Sequence, residues 1–246
     1  MDRKTYMKDI YSKYWLFARE KEYGFLQYDK DLCNYVFKNI EQKEKILDVA
    51  VGTGFPFGDF FQKKGYEIHG IDIAPTLIEK CKKLNEKIIC KVGDAENLSY
   101  PNDFFKCVYC FHSTFYFPDV CKAIDEMIRV ARPNGMVIFD IQNRDNKMIS
   151  NNFNKIKLSK TNGFRKLIRY GKNIIKIILK YKVPDWTNVI HEVPTYPEII
   201  IKYLKNKKID NYSIMVNSKK NNSLEVKNDF TSLNEYPRLI FVIWKN

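Results

Sequence analysis

Short apolar runs alternate with helix-like segments between residues 45 and 141. Continuous apolar runs of about four to eight residues are typical of buried strands, whereas apolar residues at every third or fourth position indicate amphipathic helices. Proline stands in the first turn of two of these helices, as expected where a helix begins. The predicted strands are 46–51, 67–73, 88–92, 105–111 and 136–141, and the predicted helices are 56–64, 75–84 and 120–132.

This alternation predicts an α/β fold, in which a parallel sheet is covered on both faces by helices. Two more strands are predicted at 212–216 and 238–244, separated by the polar tract 217–234. Since they follow the alternating region, they are expected to form an antiparallel hairpin at one edge. The sequence therefore predicts seven strands in a mostly parallel sheet, within a single domain that spans residues 1–246.

The first forty residues are expected to be helical and are rich in aromatic side chains. Gly24 breaks this region, and Asp29 is placed to cap a second helix that ends at Asn39. Segment 1–44 is therefore predicted to pack beside or over the carboxyl end of the first strand.

The net charge of +13 is concentrated in one stretch. Residues 141–183 contain twelve lysines and arginines and one acidic residue. Within that stretch, 164–182 has apolar residues on one side and basic residues on the other, which predicts an amphipathic helix. The simplest interpretation is a flanking helix with a solvated face; attraction to an anionic substrate and weak contact with a membrane surface remain open.

The chain contains no run of about 18 apolar residues, and its first thirty residues lack the apolar centre of a signal peptide. A cytoplasmic protein with reduced cysteines is therefore expected. Cys107 and Cys110 form a C-x-x-C pair, but residues three apart in a strand point to opposite faces. No metal site is predicted.

Residues 46–54 form a strand that runs into a glycine-containing turn and a new helix. Such a turn aims backbone N–H groups at a ligand beyond the carboxyl end of the sheet. A phosphate-binding loop is excluded, because no lysine followed by serine or threonine comes after Gly54. A dinucleotide site is disfavoured, because the bulky Phe57 stands where a third glycine is needed.

The same turn is similar to the D-x-G-x-G-x-G motif of the class I S-adenosylmethionine-dependent methyltransferases, with Ala50 in place of the first glycine. Four later segments resemble further motifs of that family in the family's order. They are Gly70 to Ile73, Gly93 to Leu98, Val108 to His112 and Val130 to Ile138.

This resemblance implies a Rossmann-like fold and S-adenosyl-L-methionine as cofactor, bound within a core of residues 45–141. Asp72 would then accept hydrogen bonds from the ribose hydroxyls, and Asp94 from the adenine amino group. The Ala95 N–H would reach a ring nitrogen, and the end of the fourth strand would receive the methionine ammonium. The implied cofactor-binding residues are Asp48, Ala50, Gly52, Gly54, Asp72, Ile73, Asp94, Ala95 and Phe111.

Three residues are candidates for catalysis. His112 lies just beyond the fourth strand, and His191 follows the basic stretch, so either could act as a general base. Tyr14, with its aromatic neighbours, could close over the cofactor. Simple packing of these aromatic side chains is an equally good explanation.

A basic insertion is predicted at 142–205, and C-terminal strands at 206–246. In the resembled family, the substrate cover is commonly built at the place of this insertion, so its positive charge implies a small, anionic acceptor. Segments Glu192 to Pro194 and Pro237 to Val242 also resemble methyltransferases of bacterial capsule or surface-polysaccharide pathways, including those that modify a phosphoramidate group. The implied acceptor is an oxygen of a phosphate-bearing or sugar-linked metabolite. The alternatives are an RNA methyltransferase, although no dedicated nucleic-acid module is evident, and a non-catalytic cofactor-binding protein.

Overall fold

The computed structural model describes residues 4–5, 7–8, 24–151, 195–217 and 223–246. The strands are β1 (Lys45–Val49), β2 (Glu67–Asp72), β3 (Ile89–Val92), β4 (Phe105–Cys110), β5 (Ala131–Gln142), β6 (Tyr212–Asn217), β7 (Leu224–Lys227) and β8 (Arg238–Trp244). The helices are α1 (Gln27–Asn39), α2 (Phe57–Lys63), α3 (Pro75–Leu84), α4 (Val120–Val130) and α5 (Pro197–Asn206). Short 3₁₀ helices span Thr114–Tyr116 and Leu233–Glu235.

The strands form one mixed sheet in the order β3-β2-β1-β4-β5-β8-β6-β7. The first five strands in this order pair in parallel, and the last three are added antiparallel. The predicted α/β fold is therefore confirmed, and the described residues form eight strands rather than the predicted seven. The additional strand is β7, which lies at the sheet edge within the tract that was expected to be polar loop.

Helices cover both faces of the sheet, because neighbouring residues of each buried strand face opposite sides. In β1, Leu47 belongs to the core beneath α4 and α5, whereas Ile46 belongs to the core beneath α1, α2 and α3. The same alternation separates Cys110 from Cys107, so this C-x-x-C pair is divided between the two cores as expected.

The boundary between α4 and β5 differs from the prediction. The helix ends at Val130, and the strand begins at Ala131 instead of Met136. A register shift between Phe105 and Cys107 on β4 accommodates the early start of β5. The turn predicted from the proline and glycine of this segment persists as a bulge within β5, because the five residue steps from Ala131 to Met136 oppose two steps on β4 and Asn134 has a φ of 56°.

Several predictions fall outside the described residues. These are the amphipathic helix at 164–182, Tyr14 and His191. Within the described part of the chain, no helix combines the length and apolar character that crossing a membrane requires.

Candidate functional site

The turn after β1 contains three residues with left-handed backbone angles. The φ values are 67° at Ala50, 57° at Gly52 and 82° at Gly54. A Cβ atom on Gly54 would lie 2.7 Å from the side-chain nitrogen of Asn85, which donates a 2.9 Å hydrogen bond to the Thr53 carbonyl. The glycine thus lets α3 approach and fix the turn.

A cavity of about 730 Å³ opens beyond the carboxyl ends of the parallel strands. This is the edge at which open parallel sheets bind ligands. Seven of the sequence-predicted residues line it: Ala50, Gly52, Asp72, Ile73, Asp94, Ala95 and His112.

Asp72 closes the end of β2 against the glycine turn. One carboxylate oxygen accepts a 3.0 Å hydrogen bond from the Gly52 N–H, and the other accepts a 2.9 Å bond from the Ala74 N–H. The side chain is buried but lines the cavity. Since a carboxylate has more than one acceptor position on each oxygen, Asp72 can still accept hydrogen bonds from a ligand.

Asp94 lies in an acidic pair that receives a lysine from the N-terminal segment. The Lys4 ammonium is 2.6 Å from Asp94 and 2.7 Å from Glu96. Burial alone would lower the pKa of Lys4, but hydrogen bonds from its ammonium to the two carboxylates outweigh this and raise it. Residues on both sides of the cavity are thereby tied together at this end.

Three predicted cofactor residues do not line the cavity. Asp48 lies beneath the turn, where it accepts a 2.9 Å hydrogen bond from the Tyr109 hydroxyl. Gly54 packs against α3, and the Phe111 ring stacks on Tyr109. The Phe111 carbonyl, expected to receive an ammonium group, accepts a 3.2 Å bond from the Ser113 hydroxyl. In this structure, these residues support the walls of the site.

His112 follows β4 with φ of 59°, and two carboxylates hold it. Its Nε2 is 2.6 Å from Asp29, and its backbone N–H donates a 2.6 Å bond to Asp140. Its Nδ1 is 3.7 Å from Asp140, which is too long for a direct hydrogen bond. The ring also stacks on Phe57. Asp29 therefore orients the imidazole and leaves Nδ1 without a close carboxylate partner.

Asp29 was expected only as a helix cap. The N-cap of α1 is Leu26, whose N–H donates to the second carboxylate oxygen of Asp29 at 3.1 Å. One carboxylate thus fixes both the helix start and His112.

Arg238 on β8 neutralises Asp140. Its Nη1 is 2.6 Å from the Asp140 carboxylate, whose side chain is fully buried. Burial alone would lower the pKa of Arg238, but the charge of Asp140 outweighs this effect and raises it.

Tyr28 stands beside His112, with ring centroids 5.7 Å apart. Its hydroxyl is buried and has no hydrogen-bond partner in the described part of the chain. Burial, with the nearby charge of Asp140, raises the pKa of Tyr28 well above its usual value, so the hydroxyl keeps its proton.

Sequence reasoning missed Tyr28, Asp140 and Arg238 as site residues and missed the link from Asp29 to His112. One signal was present, since Asp140 is a lone carboxylate within the apolar run 136–141. A charge in a strand buried on both faces needs a partner.

Residues 47–139 match the family model for the methyltransferase domain. A malonyl-[acyl-carrier protein] O-methyltransferase of Halorhodospira halophila is 27% identical over 99 residues, covering 39% of this chain and 34% of the relative. A 2-methyl-6-phytyl-1,4-hydroquinone methyltransferase of Synechocystis is 29% identical over 112 residues, covering 44% of this chain and 35% of the relative. The chain therefore spans about a third of the length of these curated relatives.

Two solved structures are similar over nearly the whole chain. An S-adenosylmethionine-dependent methyltransferase of Thermotoga maritima has a TM-score of 0.60 and 16% identity, covering 97% of this chain and 99% of that one. A protein of Pyrococcus horikoshii has a TM-score of 0.59 and 17% identity, with the same coverage. At these identities, the likeness establishes the fold.

Proposed function

We propose that this chain, whose residues 47–139 match the methyltransferase domain, is a class I S-adenosylmethionine-dependent methyltransferase that transfers a methyl group from that donor to a small-molecule acceptor. The observation that carries the proposal is Asp72, which lies at the end of β2 against the glycine turn and lines the cavity. An acidic side chain at this place can accept hydrogen bonds from both hydroxyls of a ribose.

The residues of the cavity fit this donor. Asp72 and Asp94 would hold the adenosine portion, and the turn from Ala50 to Thr53 would hold the methionine portion. The Thr53 hydroxyl is buried beside this turn without a partner in the described part of the chain. When bound, S-adenosylmethionine supplies a methyl group on a positively charged sulfur. The protein would hold the acceptor in line with that group and away from water.

His112 is the proposed general base. Because Asp29 lies 2.6 Å from Nε2, it favours the tautomer with a proton there, and Nδ1 is then free to accept a proton from an acceptor hydroxyl. An oxygen acceptor uses this arrangement, because a hydroxyl becomes more nucleophilic as its proton leaves.

The test begins with calorimetry of S-adenosylmethionine and S-adenosylhomocysteine, followed by an acceptor screen with a labelled methyl donor. His112→Ala is expected to lower kcat about 10²- to 10⁴-fold while cofactor affinity changes less than about threefold. His69→Ala is the matched control, since His69 is a buried histidine that contacts Glu67 and does not line the cavity. Absence of cofactor binding would refute the proposal. Full activity of His112→Ala would show that His112 is not the general base.

The narrower expectations about the acceptor stay predictions. A sugar-linked hydroxyl suits His112, whereas the phosphate-bearing alternative relies on cations from the basic segment 142–205, whose residues 152–194 lie outside the described ones. Three further expectations also stay predictions: the cytoplasmic location, the contact with a membrane surface, and the catalytic roles of Tyr14 and His191.

A further inference from the structure

The cavity has a second half beyond the adenosine end and the glycine turn. Its wall is largely aromatic, and its polar groups come from segments far apart in the sequence. They include Tyr28, His112, Gln142, Tyr236 and Arg238. If the cofactor occupies the Asp72 half, as proposed above, this half is left for the acceptor, so the inference below rests on the proposed function.

The charged groups of this half are already paired with one another. Asp29 lies against His112, and Asp140 lies against Arg238. A carboxylate or phosphate on the acceptor would meet two carboxylates, while the cations that could attract it already have partners. Because the proposed base is a neutral imidazole, the full positive charge among these groups is that of Arg238, which already pairs with Asp140. This arrangement disfavours an acceptor that is negatively charged at this end.

The Tyr28 hydroxyl is the exception to this pairing. The hydroxyl is buried and has no partner within the described chain, and Tyr28 is one of the residues that line the cavity. A buried hydroxyl that lacks a hydrogen bond has lost its water without compensation, so a ligand oxygen that accepts from it restores a missing interaction. The Thr53 hydroxyl is similarly unpaired, but it lies at the turn assigned to the cofactor.

We propose that Tyr28 is a specificity-determining residue that donates a hydrogen bond to an uncharged oxygen of the acceptor, of the carbonyl or ether type. The reacting hydroxyl of the same molecule donates to Nδ1 of His112. Because the Tyr28 and His112 rings are neighbours, with centroids 5.7 Å apart, one small molecule can reach both groups. Recognition then requires a hydroxyl and an uncharged oxygen a few bonds apart.

The test uses protein saturated with S-adenosylhomocysteine and three probes of matched shape. 3-Hydroxyacetophenone carries a hydroxyl and a carbonyl, 3-ethylphenol lacks the carbonyl oxygen, and 3-hydroxybenzoate carries a negative charge instead. Binding is measured by calorimetry or ligand-observed NMR. We expect 3-hydroxyacetophenone to bind about tenfold more tightly than either of the other two, the size expected for one hydrogen bond.

Tyr28→Phe is expected to abolish the preference for 3-hydroxyacetophenone over 3-ethylphenol, while 3-ethylphenol itself binds as before. The variant removes a hydroxyl that has no partner, so the fold is expected to survive. Tyr100→Phe is the matched control, because the Tyr100 hydroxyl is also buried and unpartnered in the described chain but does not line the cavity. This control is expected to retain the full preference.

Several results would overturn the inference. Tightest binding of 3-hydroxybenzoate would show that this half of the cavity is an anion site. Equal binding of all three probes, or binding of none, would show that Tyr28 does not select an acceptor with an uncharged oxygen. Weaker binding of S-adenosylhomocysteine to Tyr28→Phe would place Tyr28 in the cofactor site instead. If wild-type protein fails to bind S-adenosylhomocysteine, the proposed function fails first and this inference falls with it.

Discussion

The two halves of the cavity are built in different ways. In the cofactor half, the lining residues lie just after the strands that position them, as Gly52 does after β1 and Asp72 at the end of β2. In the acceptor half, the contacts that position the polar groups join distant segments, as the Lys4–Asp94 pair also does at the cofactor end. Asp29 reaches His112 across 83 positions, and Arg238 reaches Asp140 across 98.

The halves also differ in how far their charges are exposed. The Lys4–Asp94 pair at the cofactor end has side chains that are 30% and 33% exposed, whereas the Asp140 side chain at the acceptor end is fully buried. An exposed ion pair gains little over solvation by water, but a buried charge that loses its partner is costly. Breaking the Lys4–Asp94 pair is therefore expected to cost less than breaking the Asp140–Arg238 pair.

The largest expected difference is in stability. Asp140→Ala leaves the Arg238 guanidinium without its buried partner and removes the acceptor of the His112 N–H, so we expect a loss of about 3–5 kcal/mol in unfolding free energy. Asp94→Ala breaks a partly exposed ion pair and removes the acceptor of the Glu96 N–H, so it is expected to cost about 1 kcal/mol. Urea unfolding of both variants measures the difference. Equal losses would contradict the expected difference between the two ion pairs.

Cofactor affinity gives a second contrast. Asp72→Ala removes the ribose acceptor and the partner of the Gly52 N–H, so we expect the Kd for S-adenosylhomocysteine to rise about 100-fold or more, or about 2.7 kcal/mol. Arg238→Lys, in the other half, is expected to change this Kd less than about threefold. Calorimetry on both variants makes the comparison. A large effect of Arg238→Lys would show that the cofactor extends across the cavity.

Alkaline pH offers a smaller and graded test. Burial raises the pKa of Tyr28 in the acceptor half and of Tyr109 beneath the cofactor turn well above the usual value near 10. A raised folded pKa gives stability that is complete below the unfolded pKa and is lost as pH rises towards the folded value. We therefore expect the unfolding free energy to fall above pH 10, by at most about 1.4 kcal/mol per pH unit for each tyrosine.

Denaturant titrations between pH 8 and pH 11, buffer values chosen to bracket the usual tyrosine pKa of about 10, measure this fall. Tyr28→Phe is expected to make it shallower. A slope unchanged by that substitution would mean that the Tyr28 hydroxyl is better solvated than its burial implies.

The sequence predicted those site residues that lie at the end of a strand or in the loop directly after it. Asp72, Asp94 and His112 could be placed at the cavity because strand ends of a parallel sheet share one edge. Asp29 was placed at the start of the correct helix, but nothing local indicates that its second contact is His112, which follows β4. Register across β5 and β8 brings Arg238 opposite Gln142, and only the folded sheet places it near Asp140.

The cysteines illustrate the same limit. Cys107 and Cys110 are close in sequence but lie on opposite faces of the sheet, as strand geometry predicts. Cys81 on α3 and Cys90 on β3 instead bring their sulfur atoms within 2.8 Å. Their nine-residue spacing carries no local signature, because the contact depends on how the helix packs on the edge strand.

The methyl group of Ala50 affects both the stability of the protein and the shape of its cavity. A non-glycine residue at φ of 67° carries roughly 1 kcal/mol of backbone strain that glycine would relieve. The same Cβ belongs to a residue that lines the cavity. For an engineer, glycine at position 50 is therefore a stabilising change that also enlarges the pocket, so heat tolerance and ligand selectivity would shift together.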